Sequence, residues 1–153
     1  MKRIWIILAV AMVVMTAWAV DFDRYFTDAT LRLDYAFAGD FNHQEIYVDQ
    51  LSQLPRWWGR RVRLDEVPAA GDGTITVRDH ASGAVIYCHS FSSLFQEWIS
   101  TAEAKLTRKS MENVFLVPMP LDTVDVTIEL RDPHQRTMCS LTHQVVPSDI
   151  LIA

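Results

Sequence analysis

The chain has 153 residues, 50% of them hydrophobic, and a formal net charge of −5 at pH 7. An acidic chain lacks the basic surface that binding to phosphates requires, which argues against nucleic acid as a partner. This length suits one domain of ordinary size, which can bury a core without structural metals or a dense set of crosslinks.

The first 19 residues have the three parts of a secretory signal peptide. Lys2-Arg3 gives a positive start, 14 apolar or weakly polar residues run from Ile4 to Ala17, and Ala17-Trp18-Ala19 places small residues where a signal peptidase reads. Counted to Val20, the run has 17 residues, the lower limit for crossing a bilayer, so an uncleaved anchor is the alternative. We expect cleavage after residue 19 and export of residues 20–153 to the periplasm or the cell exterior, with no membrane attachment.

Residues 20–153 carry a charge of 12 − 19 = −7 once Lys2 and Arg3 are removed, and they show short alternating segments separated by turns. Leu31, Leu33, Tyr35 and Phe37 alternate with smaller or polar residues, which predicts a strand with one buried face. About eight such segments predict an all-β fold, a single antiparallel β-sandwich. The predicted strands are Leu31–Ala38, Gln44–Leu51, Arg61–Val67, Thr74–Arg78, Ala84–Phe91, Val114–Val117, Thr123–Leu130 and Thr137–Val146.

One short helix is predicted over Ser93–Ala102. Ser93 is a suitable N-cap, and Gln96 stands three residues later, the spacing of a capping box. The helical apolar stripe consists of Leu94, Phe95, Trp98 and Ile99.

The two cysteines, Cys88 and Cys139, leave two alternatives open. An exported protein can keep a disulfide, so a Cys88–Cys139 bond is one prediction. The alternative is two separate buried thiols, which behave as small apolar groups. No CxxC pair is present to indicate redox activity or a zinc ribbon.

No catalytic pattern stands out. The five histidines are scattered, and the sequence has no HExxH, no GxSxG and no phosphate-binding loop. We therefore expect no enzyme activity, no metal and no other cofactor.

The residues most suited to binding lie in one short segment of arginine and tryptophan. Residues 55–63 contain two tryptophans and four arginines in an otherwise acidic chain. These residue types are enriched at binding hot spots, and tryptophan faces also suit sugar rings. The alternative is one tryptophan in the core and arginines along a solvated strand face. The candidate binding residues are Arg56, Trp57, Trp58, Arg60 and Arg61.

The segment Ser90–Trp98, SFSSLFQEW, resembles the signature of a known domain. It is similar to the N-terminal domain of the bacterial IgA-peptidase-like zinc metallopeptidases, peptidase family M sixty-four. Tyr25–Tyr35 resembles the family's opening strand, the segment from Asp79 to Tyr87 its central hairpin, and Pro147–Ile152 its link into the peptidase domain.

The resemblance implies an immunoglobulin-like sandwich that precedes a zinc peptidase domain and is itself noncatalytic. The sequence stops where that domain would begin, so no zinc ligands carry over. We expect a noncatalytic interaction or substrate-recognition module, stand-alone or split off from an exported metallopeptidase. Its partner would be the metallopeptidase catalytic domain, a secreted protein or a glycan. The alternative function is a glycan-binding module that uses the exposed Trp and Arg residues.

The C-terminal segment Asp149–Ala153 ends on four consecutive apolar residues. Terminal segments are usually polar and frayed, so this one requires a covering surface. It is predicted either to fold back as an edge strand or to mediate self-association or binding to a peptidase-like partner.

Overall fold

The structure, a computed structural model, describes residues 19–67, 70–149 and 151–152. The predicted signal peptide lies outside these residues except for Ala19. Within the described part of the chain, no helix has both the length and the apolar character needed to cross a membrane.

The fold is an all-β sandwich of two antiparallel sheets, as predicted. The described residues form a three-stranded sheet of order β2-β1-β5 and a four-stranded sheet of order β4-β3-β6-β7. The strands are β1 Phe26–Gly39, β2 Gln44–Leu54, β3 Gly73–Asp79, β4 Val85–Phe91, β5 Lys109–Pro120, β6 Val124–Arg131 and β7 Thr137–Val145.

Seven strands split into three and four are also the count of a constant-type immunoglobulin sandwich, with two differences in arrangement. Here β4 pairs with β3 rather than joining the sheet of β1, β2 and β5. In addition, the first strand rather than the second is central to that sheet. β1 therefore has a neighbour on each side and supplies the largest share of the core.

The core lies between the two sheets and follows the alternation in the sequence. Leu31, Leu33, Tyr35 and Phe37 of β1 are all buried, and the four alternate residues of β6 from Val124 to Leu130 face them from the other sheet. Rings close the β4–β5 side, where the Phe91 and Phe115 centroids lie 4.5 Å apart.

The predicted strand Arg61–Val67 is wrong. Arg63 has a φ of 53°, which an extended strand does not allow, and the segment is a loop. Its Leu64 carbonyl accepts the Cys88 N–H at 2.8 Å, so the loop covers the outer edge of β4 instead of adding a strand. In contrast, β5 is longer than predicted at both ends: it begins at Lys109 and continues through Pro118 and Pro120, which an edge strand tolerates.

Three short helical turns accompany the sheets: α1 Phe22–Tyr25, α2 Leu94–Ile99 and a 3₁₀ turn at Glu103–Lys105. Ser93 caps α2 as predicted, since its Oγ accepts the Gln96 N–H at 3.2 Å. The helix ends three residues earlier than predicted, and the capping box does not close, because the Gln96 side chain turns to other backbone groups.

Of the two alternatives for the cysteines, the structure shows the unpaired one, since both Cys88 and Cys139 are free thiols. Cys88 lies on β4 and Cys139 on β7, the two opposite edges of the four-stranded sheet. Three strand-to-strand steps place them about 14 Å apart across the sheet alone, whereas a disulfide requires Cα atoms within ~7 Å. The alternative of two separate thiols describes this structure, with burial raising the pKa of each.

Of the C-terminal segment, the structure describes Asp149, Leu151 and Ile152. Ile152 forms a single parallel bridge with Leu51 at the open edge of β2 and packs against the core. Leu151 beside it remains 77% exposed. The described residues of the segment thus form one isolated bridge rather than the predicted edge strand, and the predicted association through this segment is not tested.

Candidate binding surface at the Arg–Trp loop

The candidate site is the loop of residues 55–64, here called the Arg–Trp loop, which leaves β2 and crosses the end of β1. Two hydrogen bonds fix its start to β1. The Trp57 N–H donates to the Asp28 carbonyl at 3.1 Å, and the Thr30 hydroxyl donates to the Arg56 carbonyl at 2.7 Å. The loop therefore holds a defined conformation where Trp57 and Trp58 diverge.

Trp57 belongs to the core. Only 7% of it is exposed, and its indole Nε1 donates to the Arg60 carbonyl at 3.0 Å. Its ring meets Tyr87 edge to face, with centroids 6.0 Å apart and an interplanar angle of 84°. Gly59 makes this packing possible, because a Cβ at that position would lie 2.1 Å from a ring carbon of Trp57.

Arg60 fastens the loop to β4. Its guanidinium donates to the Leu64 carbonyl at 3.1 Å and to the Cys88 carbonyl, and its central carbon lies 5.3 Å from the Tyr87 ring centroid. Burial raises the pKa of the Tyr87 hydroxyl, so the ring packs there as a neutral group. Arg60 therefore supports the fold, although its buried Nε has no hydrogen-bond partner among the described residues.

Arg61 is an exposed paired residue. It forms an ion pair with Asp28, and its guanidinium carbon lies 4.4 Å from the Phe22 ring centroid. Because both charged side chains are well exposed, water and salt screen the pair and its contribution to stability is small.

Trp58 and Arg56 are the members of the predicted set that face solvent together. Trp58 is 82% exposed, and the Arg56 guanidinium carbon lies 5.1 Å from its ring centroid. Among the described residues, no carboxylate forms an ion pair with Arg56. These two side chains present an aromatic face and an uncompensated positive charge.

A cleft of about 590 Å³, here called the Trp58 cleft, lies beside this pair on the outer face of the three-stranded sheet. Its floor comes from all three strands, since Thr30 of β1 stands opposite Leu54 of β2 and Leu116 lies on β5. Leu54 and Leu116 are 38% and 49% exposed. The lining residues are Thr30, Leu54, Pro55, Arg56, Trp57, Trp58, Gly59 and Leu116.

The sequence therefore predicts three of the eight residues that line this cleft: Arg56, Trp57 and Trp58. Arg56 and Trp58 were recognisable by residue type, whereas Thr30 and Leu116 come from distant strands. The only sequence signal for Leu116 is its outward phase between the partly buried Phe115 and the buried Val117. Among the described residues, no group of three His, Cys, Asp or Glu side chains is arranged to hold a metal.

Comparison with known proteins supports the resemblance noted in the sequence. No curated protein matches the chain significantly. A family model described as Peptidase M64 N-terminus matches residues 21–142, which include the whole Arg–Trp loop and strands β1 to β6. With most of the chain covered, the protein belongs to the peptidase M64 N-terminus family.

Proposed function

We propose that the chain is a noncatalytic interaction domain of an exported metallopeptidase, and that the Trp58 cleft contacts the catalytic domain or its protein substrate. Membership in a peptidase N-terminus family supports the association with a peptidase. We choose the Trp58 cleft as the binding surface because Trp58 is 82% exposed beside an apolar cleft.

The cleft has the properties of a protein-binding hot spot. Tryptophan and arginine dominate such sites because both bury a large surface and donate hydrogen bonds. The Thr30 and Asp28 contacts hold the loop in place before binding, which lowers the ordering cost of association. A partner that inserts an apolar side chain between Trp58 and Leu116 would cover surface that water now contacts.

Among the described residues, the outer face of the four-stranded sheet is more polar: its own cleft, of about 480 Å³, is lined in part by Thr74, Thr76, Arg131 and Gln135. Its side chains pair with one another: Thr127 with Thr142 at 2.9 Å, and His80 with Asp125 at 2.9 Å. Such groups are satisfied in place, so a partner would gain little by displacing water from them. This contrast favours the Trp58 cleft as the binding face.

The proposal includes export directed by residues 1–19. N-terminal sequencing of the protein recovered outside the cytoplasm should begin at residue 20. A protein that keeps its initial residues and sediments with membranes would support the anchor alternative.

A pull-down from the source cells tests the function. The tagged chain should capture an exported metallopeptidase, identified by mass spectrometry, and Trp58→Ala should lose it. Leu106→Ala is the matched control, because Leu106 is 89% exposed and lies outside the cleft. Equal capture by both variants, or capture of no peptidase by the unaltered chain, contradicts the proposal.

The glycan-binding alternative also has a specific observation in its favour. The open indole face of Trp58 suits stacking on a sugar ring, and Arg56 adds hydrogen-bond donors beside it. Trp57 is buried, so its ring is not available to stack on a sugar. A glycan array decides the point: binding that Trp58→Ala abolishes and Leu106→Ala preserves would favour sugar over a protein partner.

A further inference from the structure

A second cavity, of about 380 Å³, lies at one end of the sandwich and is built from loops other than the Arg–Trp loop. It lies between the turn after β1, helix α2 and the turn that joins β6 to β7, and is here called the Gln96 cavity. Phe41 and Met138, which line it, are 46% and 42% exposed, large values for apolar side chains. Its volume is within the range of small-molecule and side-chain pockets.

The Gln96 side chain gives this cavity an unused hydrogen-bond acceptor. Its amide nitrogen donates to the Arg131 carbonyl at 2.8 Å and to the Asp72 carbonyl at 3.2 Å. Its Oε1 has no hydrogen-bond partner among the described residues, although the residue is more than nine-tenths buried. The opposite orientation of the amide would place its oxygen against two carbonyl oxygens, which would repel it. The amide orientation is therefore fixed, and Oε1 is the atom that can still accept a hydrogen bond.

Two carboxylates on the cavity lining also have no cationic partner in the described part of the chain: Asp72 and Glu97. The third, Asp132, is already engaged, since Arg136 donates to it at 2.7 Å. Arg131, which also lines the cavity, pairs through one terminal nitrogen with Glu129 at 2.8 Å, while its buried Nε has no hydrogen-bond partner among the described residues. The cavity therefore offers two free negative charges beside an unused acceptor.

We propose that the Gln96 cavity binds an arginine side chain of a partner polypeptide. A guanidinium supplies donors for Oε1 and for the carboxylates in one plane, and that plane can stack on Phe41. The exposed Lys105 side chain places its Nζ 5.1 Å from the Phe41 ring centroid, so the incoming guanidinium would displace this ammonium from the ring. The aliphatic stem of the arginine would pack on Met138 and Pro133.

This inference does not depend on the Trp58 cleft, and a nuclear magnetic resonance titration of the purified protein tests it. The probe is the tripeptide acetyl-Gly-Arg-Gly-amide, and its control replaces arginine by the uncharged citrulline. The arginine peptide should shift the Gln96 side-chain amide and the Met138 resonances to saturation. The citrulline peptide should bind about tenfold more weakly, because it lacks the charge that the carboxylates attract.

Charge variants complete the test. The double variant Asp72→Asn with Glu97→Gln should weaken the arginine peptide by about tenfold. The double variant Asp122→Asn with Glu112→Gln makes the same change in net charge at exposed positions outside the cavity and should bind normally. Equal binding of both peptides, equal weakening by both double variants, or absence of any shift at Gln96 would each overturn the proposal.

Discussion

Trp57 and Trp58 are adjacent in sequence, yet 7% of one and 82% of the other is exposed. Trp57 packs in the core against Tyr87 and donates its indole N–H to the Arg60 carbonyl within the loop. Trp58 instead faces solvent, and its ring contacts the Arg56 guanidinium. One short segment thus divides into an inner half that maintains the fold and an outer half available for binding. A dense run of hot-spot residue types is therefore a mixture of roles, which only the packing separates.

The largest expected effect comes from removing the inner tryptophan. Trp57→Ala should lower the free energy of unfolding by about 3–5 kcal/mol, because it deletes a buried aromatic side chain and leaves a cavity. Urea denaturation followed by far-ultraviolet circular dichroism measures the change. A loss similar to that of Trp58→Ala would show that the two tryptophans do not differ as described.

Gly59→Ala should destabilise the fold by about 1–3 kcal/mol through overpacking, because the new methyl group meets the Trp57 ring. The same substitution is also made in the Trp57→Phe variant, because the smaller phenylalanine ring leaves room for that methyl group. The penalty for Gly59→Ala should therefore shrink in the double variant, and a double-mutant cycle on urea midpoints measures the coupling. Additive effects would mean that Gly59 is required for another reason.

How far the sequence predicts this molecule depends on whether the deciding contact is local. The strands with one buried face, such as β1 and β6, are visible from alternation alone. The segment Arg61–Val67 also alternates, but the edge of β4 and the positive φ of Arg63 make it a loop. Likewise, no local signal reports that Cys88 and Cys139 lie on opposite sheet edges.

The residues of the Arg–Trp loop are also predictable only where the deciding contacts are local. Residue type predicts binding for Arg56 and Trp58, which face solvent, but predicts it equally for Trp57 and Arg60, which pack into the fold. Their burial depends on Tyr87 and on the Cys88 carbonyl, both contributed by β4. Such long-range contacts cannot be deduced from the spacing of residues within the loop.

A smaller effect is expected at the junction of the two halves. Thr30→Val removes the hydroxyl that donates to the Arg56 carbonyl but keeps the β-branched shape, so it should cost about 1 kcal/mol of stability. Because this bond positions Arg56 without touching Trp58, binding through the cleft should also weaken. Thr27→Val is a control, since the Thr27 hydroxyl contacts the Met119 carbonyl only at 3.4 Å. If both variants bind the partner equally well, Thr30 does not position the loop.

The smallest change in stability should follow loss of the outer tryptophan. Trp58→Ala removes an exposed ring that fills no cavity, so the free energy of unfolding should change by less than about 0.5 kcal/mol. Its spectroscopic effect should be large, because in the protein without residues 1–19 the other tryptophans, Trp57 and Trp98, are 7% and 8% exposed. Iodide should therefore quench most of the accessible fluorescence in the unaltered protein and little in the variant. If Trp58→Ala destabilised the fold by several kcal/mol or left quenching unchanged, Trp58 would be buried in solution, and the cleft beside it would not be an open binding surface.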